Sequence, residues 1–442
     1  MKFFYRILDF RSIPMGDVSG AVDTIQDRMS YGFTDWVISD QDVRDSMAAL
    51  AELTPSERNE VVSQLDDKAL ERLTGNAEEL SANERQDVYE NLVDGLDGAQ
   101  IARLATTFGG SDRIGRVDFA DAVASHATPE AKLAFIEATK GSIDGAYSAM
   151  QGQDGNPETL AIAKVLASLS GDQAAFDTAI KSLSEGQLED VLAVGLGRNY
   201  YPAGNTGFYS FDPSASLGIL SAATNSTDLQ VKGAVFEAAT AHFNTVDGQA
   251  LDSSYLDAIS GLVESDPSGL VNELQARTDL TGESLTAYTK EMLESGREED
   301  LRNLVVQMQQ GNDGAGNAFE NFSDPAFARN LGFLSGSIAA AINSTTDDAE
   351  AQGNMLKNIF GTAFGVSGAA NPAAGVIASV GNGITSTVID GIVDRVSDGN
   401  KDLKQALYEL AIPRDAGGSV NMSGTGYDAF NASYAAIAQV ND

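Results

Sequence analysis

Apolar residues fall at helical spacing through most of the chain, and in one stretch the polar positions among them lose their charges altogether. About 21% of residues are charged overall, yet 32 consecutive residues between Lys357 and Asp390 carry none. Within that run Val376, Val380, Ile384 and Val388 recur every four residues and continue to Ile392, the stripe of one helix face. Upstream, Met355, Ile359, Phe360, Ala363, Phe364 and Val366 fit a second helix. Asn371-Pro372 parts the two, because proline lacks a backbone donor and disfavours helix in the residue before it. The pattern therefore predicts a Gly/Ala-rich helical hairpin over residues 354–396. Gly361, Gly365, Ala370, Ala374 and Ala378 would let its backbones approach closely. A helix apolar on most sides lies either in a protein core or in a membrane, and the pattern leaves both open.

From about residue 40 to 110 the periodicity itself repeats. Leu53, Thr54, Glu57, Arg58, Val61, Leu65 and Leu73 align with Leu80, Ser81, Glu84, Arg85, Val88, Leu92 and Leu104, the second copy being about four residues longer. Each copy opens with Thr or Ser three residues before Glu, the spacing of a capping box, and so predicts a short helix pair. The start signal returns at Thr128-Pro129-Glu130, Ser170-Gly171-Asp172 and Ser184-Glu185-Gly186. The fold expected is all-α, an α-solenoid-like array of helical repeats followed by a C-terminal helical domain around the hairpin. Its parts are residues 1–125, residues 126–310 and, beyond a Gly/Asn-rich boundary at 309–325, residues 326–442. In the last part a short apolar helix is expected at 331–343, a charged one near 401–411 and a final one near 427–440.

One insertion interrupts the helical rhythm. Tyr200, Tyr201, Phe208, Tyr209 and Phe211 flank a Pro-Ala-Gly-Asn-Thr-Gly turn within residues 198–213, a pattern that reads as a β-hairpin or ordered loop. Such aromatics either form a contact surface for a partner or fold back to seal the array. The sole tryptophan, Trp36, is read as core.

Charge changes the picture of partners. With 64 acidic and 28 basic residues the formal net charge is -36, which repels nucleic acid and anionic headgroups and favours basic partners or a salty medium. Cysteine is absent, so disulfides, thiolate metal sites and cysteine nucleophiles are excluded. Arg6 and Asp9 break the apolar start too early for a signal-peptide core. The expectation is synthesis in a bacterial cytoplasm and export, if any, by a route without a cleavable signal.

Candidate chemistry is sparse. His126 and His242 are the only histidines and stand in no metal-binding spacing. Asp398, Asn400, Asp402 and Glu409 have the register of a calcium loop, but Leu403 stands where glycine must turn the chain. Leu403, Leu407 and Leu410 instead read as a helix face. No nucleophile elbow, phosphate loop or dinucleotide fingerprint occurs, so no catalytic residue, metal or cofactor is expected.

The stretch from Tyr31 to Asn76 holds a Trp after Asp35, an acidic run with periodic Ala and Leu, and the motif Leu53-Thr54-x-x-Glu57-Arg58. It resembles helical units placed ahead of toxin domains in secreted bacterial proteins, and the resemblance extends over about residues 31–110. It implies a role in delivery or packing, with protein partners in secretion or injection machinery. The leading expectation is thus a non-enzymatic helical cargo or interaction scaffold. The alternatives are a membrane-active, pore-forming toxin using residues 354–396, and a cell-wall hydrolase with unidentified carboxylates.

Overall fold

The computed structural model describes residues 17–30, 38–77, 80–107, 113–143, 157–194, 213–241, 243, 253–277, 282–310, 321–361, 386–398, 402–412 and 423–438. Among these the protein is all-α, as its periodicity predicts, with no strand. By compactness the chain divides into two units, Met1–Ile219 and Leu220–Asp442.

The first unit begins with α1 (Val18–Arg28), α2 (Asp40–Ala51), α3 (Pro55–Gln64), α4 (Asp67–Ala77), α5 (Ala82–Val93) and α6 (Gly98–Thr107). It continues through α7 (Arg113–His126), α8 (Pro129–Thr139), α9 (Pro157–Ala167), α10 (Gln173–Ser182), α11 (Glu185–Ala193) and α12 (Pro213–Asn225), within which the division falls. Helices two apart pack on one another: α1 on α3, α2 on α4, α4 on α6, α5 on α7 and α6 on α8.

The starts follow the side-chain chemistry. Thr54 and Ser81 cap α3 and α5, with Glu57 and Glu84 bonding back to the cap residue, as does Ser184 with Gln187 at α11. Thr128 caps α8, where Pro129 sits at the first helical position and needs no donor. One start differs from expectation. Asp172, rather than Ser170, caps α10, because Ser168–Gly171 forms a 3-10 turn that carries the chain one step further first.

The apolar positions that match between the two stretches are alike in burial. Leu53, Leu80, Val61, Val88, Leu65, Leu92, Leu73 and Leu104 are all buried. Arg58 and Arg85 both reach forward, to Asp94 and Asp118. Arg72 and Arg103 both reach back, to the carbonyls of Met29 and of Val62 and Leu65. The extra residues of the second copy lengthen the first helix of the pair and the turn after it, where Gly95 has φ 81° and its α-carbon faces Pro55. A side chain there would be strained by its backbone angle and would collide with the proline. Replacing Leu65 or Leu92 by Ala is expected to cost about 2–5 kcal/mol in urea denaturation, the range for buried leucines. Two unchanged midpoints would remove these residues from the core.

The second unit comprises α13 (Leu229–Thr240), α14 (Ser253–Ser265), α15 (Pro267–Ala276), α16 (Glu283–Glu294) and α17 (Glu298–Gln310). It ends with α18 (Pro325–Thr345), α19 (Ala349–Leu356), α20 (Ser386–Ser397), α21 (Leu403–Ala411) and α22 (Thr425–Ala438). Its described core is organised around α18, which is longer than its apolar run predicts. Pro325 starts this helix rather than closing a loop, and Asp324 accepts the Ala326 N–H at 2.9 Å. Every residue from Asn330 to Ile342 is buried, so α18 has no water-facing side over three turns. It packs against α15, α16, α21 and α22. Ser335 and Ser337 satisfy their hydroxyls on the Leu331 and Phe333 carbonyls one turn back, at 2.7 and 3.1 Å, which allows them in such a core. No helix among the described residues is long and apolar enough to cross a membrane.

Candidate functional site

The two described ends of the uncharged run lie beside one another in the second unit. Residues 362–385 of the run, with Phe364, Val376, Val380 and Ile384, lie outside the described residues. At its entry, α19 passes into a π turn over Lys357–Gly361, in which Ile359 and Phe360 are buried. At its exit, α20 carries Val388, whose side chain is outside the described set, and then buries Ile392, Val393 and Val396. The two ends pack together because Gly353 of α19 has no side chain. A β-carbon there would lie 3.3 Å from the Val393 carbonyl oxygen and would overlap the Ser397 hydroxyl.

The charges that bound the run, Lys357 and Asp390, meet at 3.7 Å across this closed base. Both are more than half exposed, so their pairing marks the geometry and is worth about 0–1 kcal/mol. Burial of Ile359 and Phe360 holds more, about 1.5–3 kcal/mol for each side chain. Arg302 of α17 adds two bonds to the Asn358 carbonyl at 3.1 and 3.0 Å, and Asn358 Nδ2 donates to Glu298 Oε1 at 3.3 Å. Arg302 and Glu298 carry no signal for this in the sequence, since they lie more than fifty residues upstream. What the base does physically is hold the entry of the run against α17 and the exit against the entry.

The other singled-out residues are dispersed. Tyr200, Tyr201, Phe208, Tyr209 and Phe211, with Trp36 and His242, lie outside the described residues. His126 is exposed at the end of α7, 3.6 Å from Glu90. Asp402 caps α21 by accepting the Lys404 N–H at 2.7 Å, and Leu403, Leu407 and Leu410 form its buried face. No cluster of metal-ligating side chains occurs among the described residues.

Electrostatics give the surface its character. Cationic side chains are drawn onto helix C-termini, where carbonyls lack partners and the helix dipole favours positive charge. Arg58 donates to the Asn91 carbonyl, Lys140 to Ser182, Lys132 to Ser168, and Lys232 to the Ser265 hydroxyl at the end of α14. Burial lowers the pKa of Lys132 and Lys232 in these positions. Other cations sit in ion pairs that cross between helices, such as Lys164 with Asp121 and Arg277 with Glu237.

Acids crowd in consequence. On α11, burial first, and then the charges of Glu185 and Asp190, push the Glu189 carboxyl pKa up. A raised carboxyl pKa penalises the folded state above that pKa, and the penalty fades as pH falls through it toward the unfolded value. Glu189→Gln should therefore raise Tm at neutral pH and lose that advantage under acid conditions. An equal gain at both pH values would assign the effect to packing.

No protein-family model matches this chain, and no curated protein matches it.

Proposed function

We propose that this chain is a non-enzymatic helical scaffold or cargo whose acidic exterior binds a basic protein partner of a bacterial secretion or injection system. The observation that carries the reading is the inward use of its cations. With 28 basic residues against 64 acidic ones, and many of the former committed to helix ends and internal ion pairs, the charge offered to solvent is strongly negative. Such a surface steers and selects basic partners and repels nucleic acid. Capped helix pairs with buried leucines supply a rigid carrier for it. The secretion context rests on the resemblance of residues 31–110 alone. The test is co-elution of the purified chain with recombinant basic subunits encoded beside its gene. Binding should weaken steeply with added salt, and an acidic subunit should not bind. Failure of every basic subunit to co-elute at low salt would refute the proposal.

A second reading is favoured by the closed base of the uncharged run. A membrane-active protein that releases residues 354–396 would need its ends held until triggered, and the Lys357–Asp390 pair sits where such a hold would act. Because the chain has no cysteine, Lys357→Cys with Asp390→Cys can be cross-linked cleanly. Under this reading the protein releases dye from liposomes at acidic pH and the cross-link suppresses it. No release from the uncross-linked protein at any pH would dismiss it.

A further inference from the structure

In the second unit, α15, α18 and α22 enclose an open groove of about 390 Å³. Phe333 and Ile437 form its buried floor, and Ala429, Ala432 and Ala436 line the α22 side. The alanines recur along one face of the helix and Ser433 adds a small hydroxyl among them, so the wall is a shallow trough of short side chains. Gly332 meets Phe430, and Gly336 meets Tyr434 and Ile437, so α18 and α22 run side by side in the same direction. The trough therefore has a polar end at Arg329, level with the start of α22, and an apolar end at Ile437. Arg329 is exposed and has no ion-pair partner among the described residues, unlike most arginines of this acidic chain. Asn272 and the half-buried Gln275 border the opposite wall, where Gln275 Nε2 is already committed to Asn330 Oδ1 at 2.8 Å.

We propose that this groove binds an anionic amphiphile, a molecule with one carboxylate and an unbranched aliphatic chain. Arg329 takes the carboxylate through a charge-assisted hydrogen bond, and the alanine trough and the Phe333–Ile437 floor take the chain. Charge selects this class over an acidic peptide. A net charge of -36 repels any anion, and the repulsion grows with the number of negative charges carried, while a single arginine offsets only one. Shape agrees, because a trough whose α22 wall is three alanines and a serine admits a thin flexible chain. The site is independent of the scaffold reading, since neither the uncharged run nor the acidic exterior contributes to it.

The test uses the full chain with dodecanoate, below its micelle concentration, followed by calorimetry and by the ligand-induced rise in Tm. Arg329→Gln should weaken dodecanoate binding about tenfold, as loss of a charge-assisted bond implies. It should leave binding of dodecanol, which has no charge to lose, unchanged. Ala432→Phe, at an exposed position, should fill the trough and abolish both while the ligand-free Tm stays at its original value. Dodecanoate binding equally to all three proteins would reduce the effect to non-specific adsorption and overturn the assignment. So would an absence of binding to the unaltered chain. An acidic helical peptide that binds the unaltered chain and is lost on Arg329→Gln, with dodecanoate inactive, would assign the groove to a peptide and overturn it equally.

Discussion

Phe430→Ala should destabilise the second unit by about 3–5 kcal/mol, the range for deleting a fully buried aromatic ring. Its ring is completely buried on α22 and meets three others: Phe322 at 5.7 Å, Tyr408 at 5.5 Å and Tyr434 at 5.9 Å. The Tyr408 contact is edge-to-face and the Tyr434 contact is stacked, arrangements that add about 0.5–1.5 kcal/mol beyond buried area. Tyr434 also donates its hydroxyl to the Lys404 carbonyl at 2.5 Å, so the cluster ties α22 to α21. Removing the central ring leaves a cavity whose walls are held by other contacts and cannot collapse. Phe430→Leu should cost distinctly less, since most of the volume remains. Urea denaturation of the three proteins reads both numbers, and a loss below about 1 kcal/mol for the alanine variant would contradict the packing described for α22.

Gly332→Leu should be comparably damaging for the opposite reason. A β-carbon on Gly332 would lie 2.5 Å from the Phe430 carbonyl oxygen and 3.1 Å from the Phe430 α-carbon. Those are backbone atoms, which cannot rotate away, so the helices must separate along their length. Overpacking of this kind costs about 1–3 kcal/mol, and more where relief requires backbone movement. Gly261 is the internal control, because it is also helical, in α14, but a β-carbon there meets nothing within 4 Å. Gly261→Ala should stabilise by about 0.5–1 kcal/mol through the entropy of the unfolded chain and helix propensity. If both substitutions shift Tm in the same direction, the close approach of α18 and α22 is not what Gly332 serves.

The sequence on its own determined helix type, many helix starts and, for helices such as α21, which face turns inward. These depend on interactions within about four residues. Thr54 with Glu57, Ser81 with Glu84 and Thr128 with Pro129 each carry their capping chemistry locally. Leu403, Leu407 and Leu410 likewise disclose a buried face by spacing alone. Asp172 displaced Ser170 as a cap because a 3-10 turn and an α-helix compete within the same few residues, and spacing does not distinguish them. The candidate sites were less legible. The uncharged run stands out in the sequence by its missing charges, but nothing there discloses that Arg302 of α17 grips its entry.

Only the tertiary structure decided the rest. It made α18 the buried centre of the second unit, although its apolar run predicts only a short helix over 331–343. It set Arg329 at the mouth of a groove formed with α15 and α22, about sixty residues before and one hundred after it. It also turned an excess of acid spread along the chain into an acidic exterior, by spending cations on carbonyls thirty to forty residues away. The physical reason is common to all three. Local backbone and side-chain bonding is encoded within a turn or two, whereas a site arises where distant helices approach. That approach is governed by the summed fit of many small apolar contacts, none of which any single stretch of sequence displays.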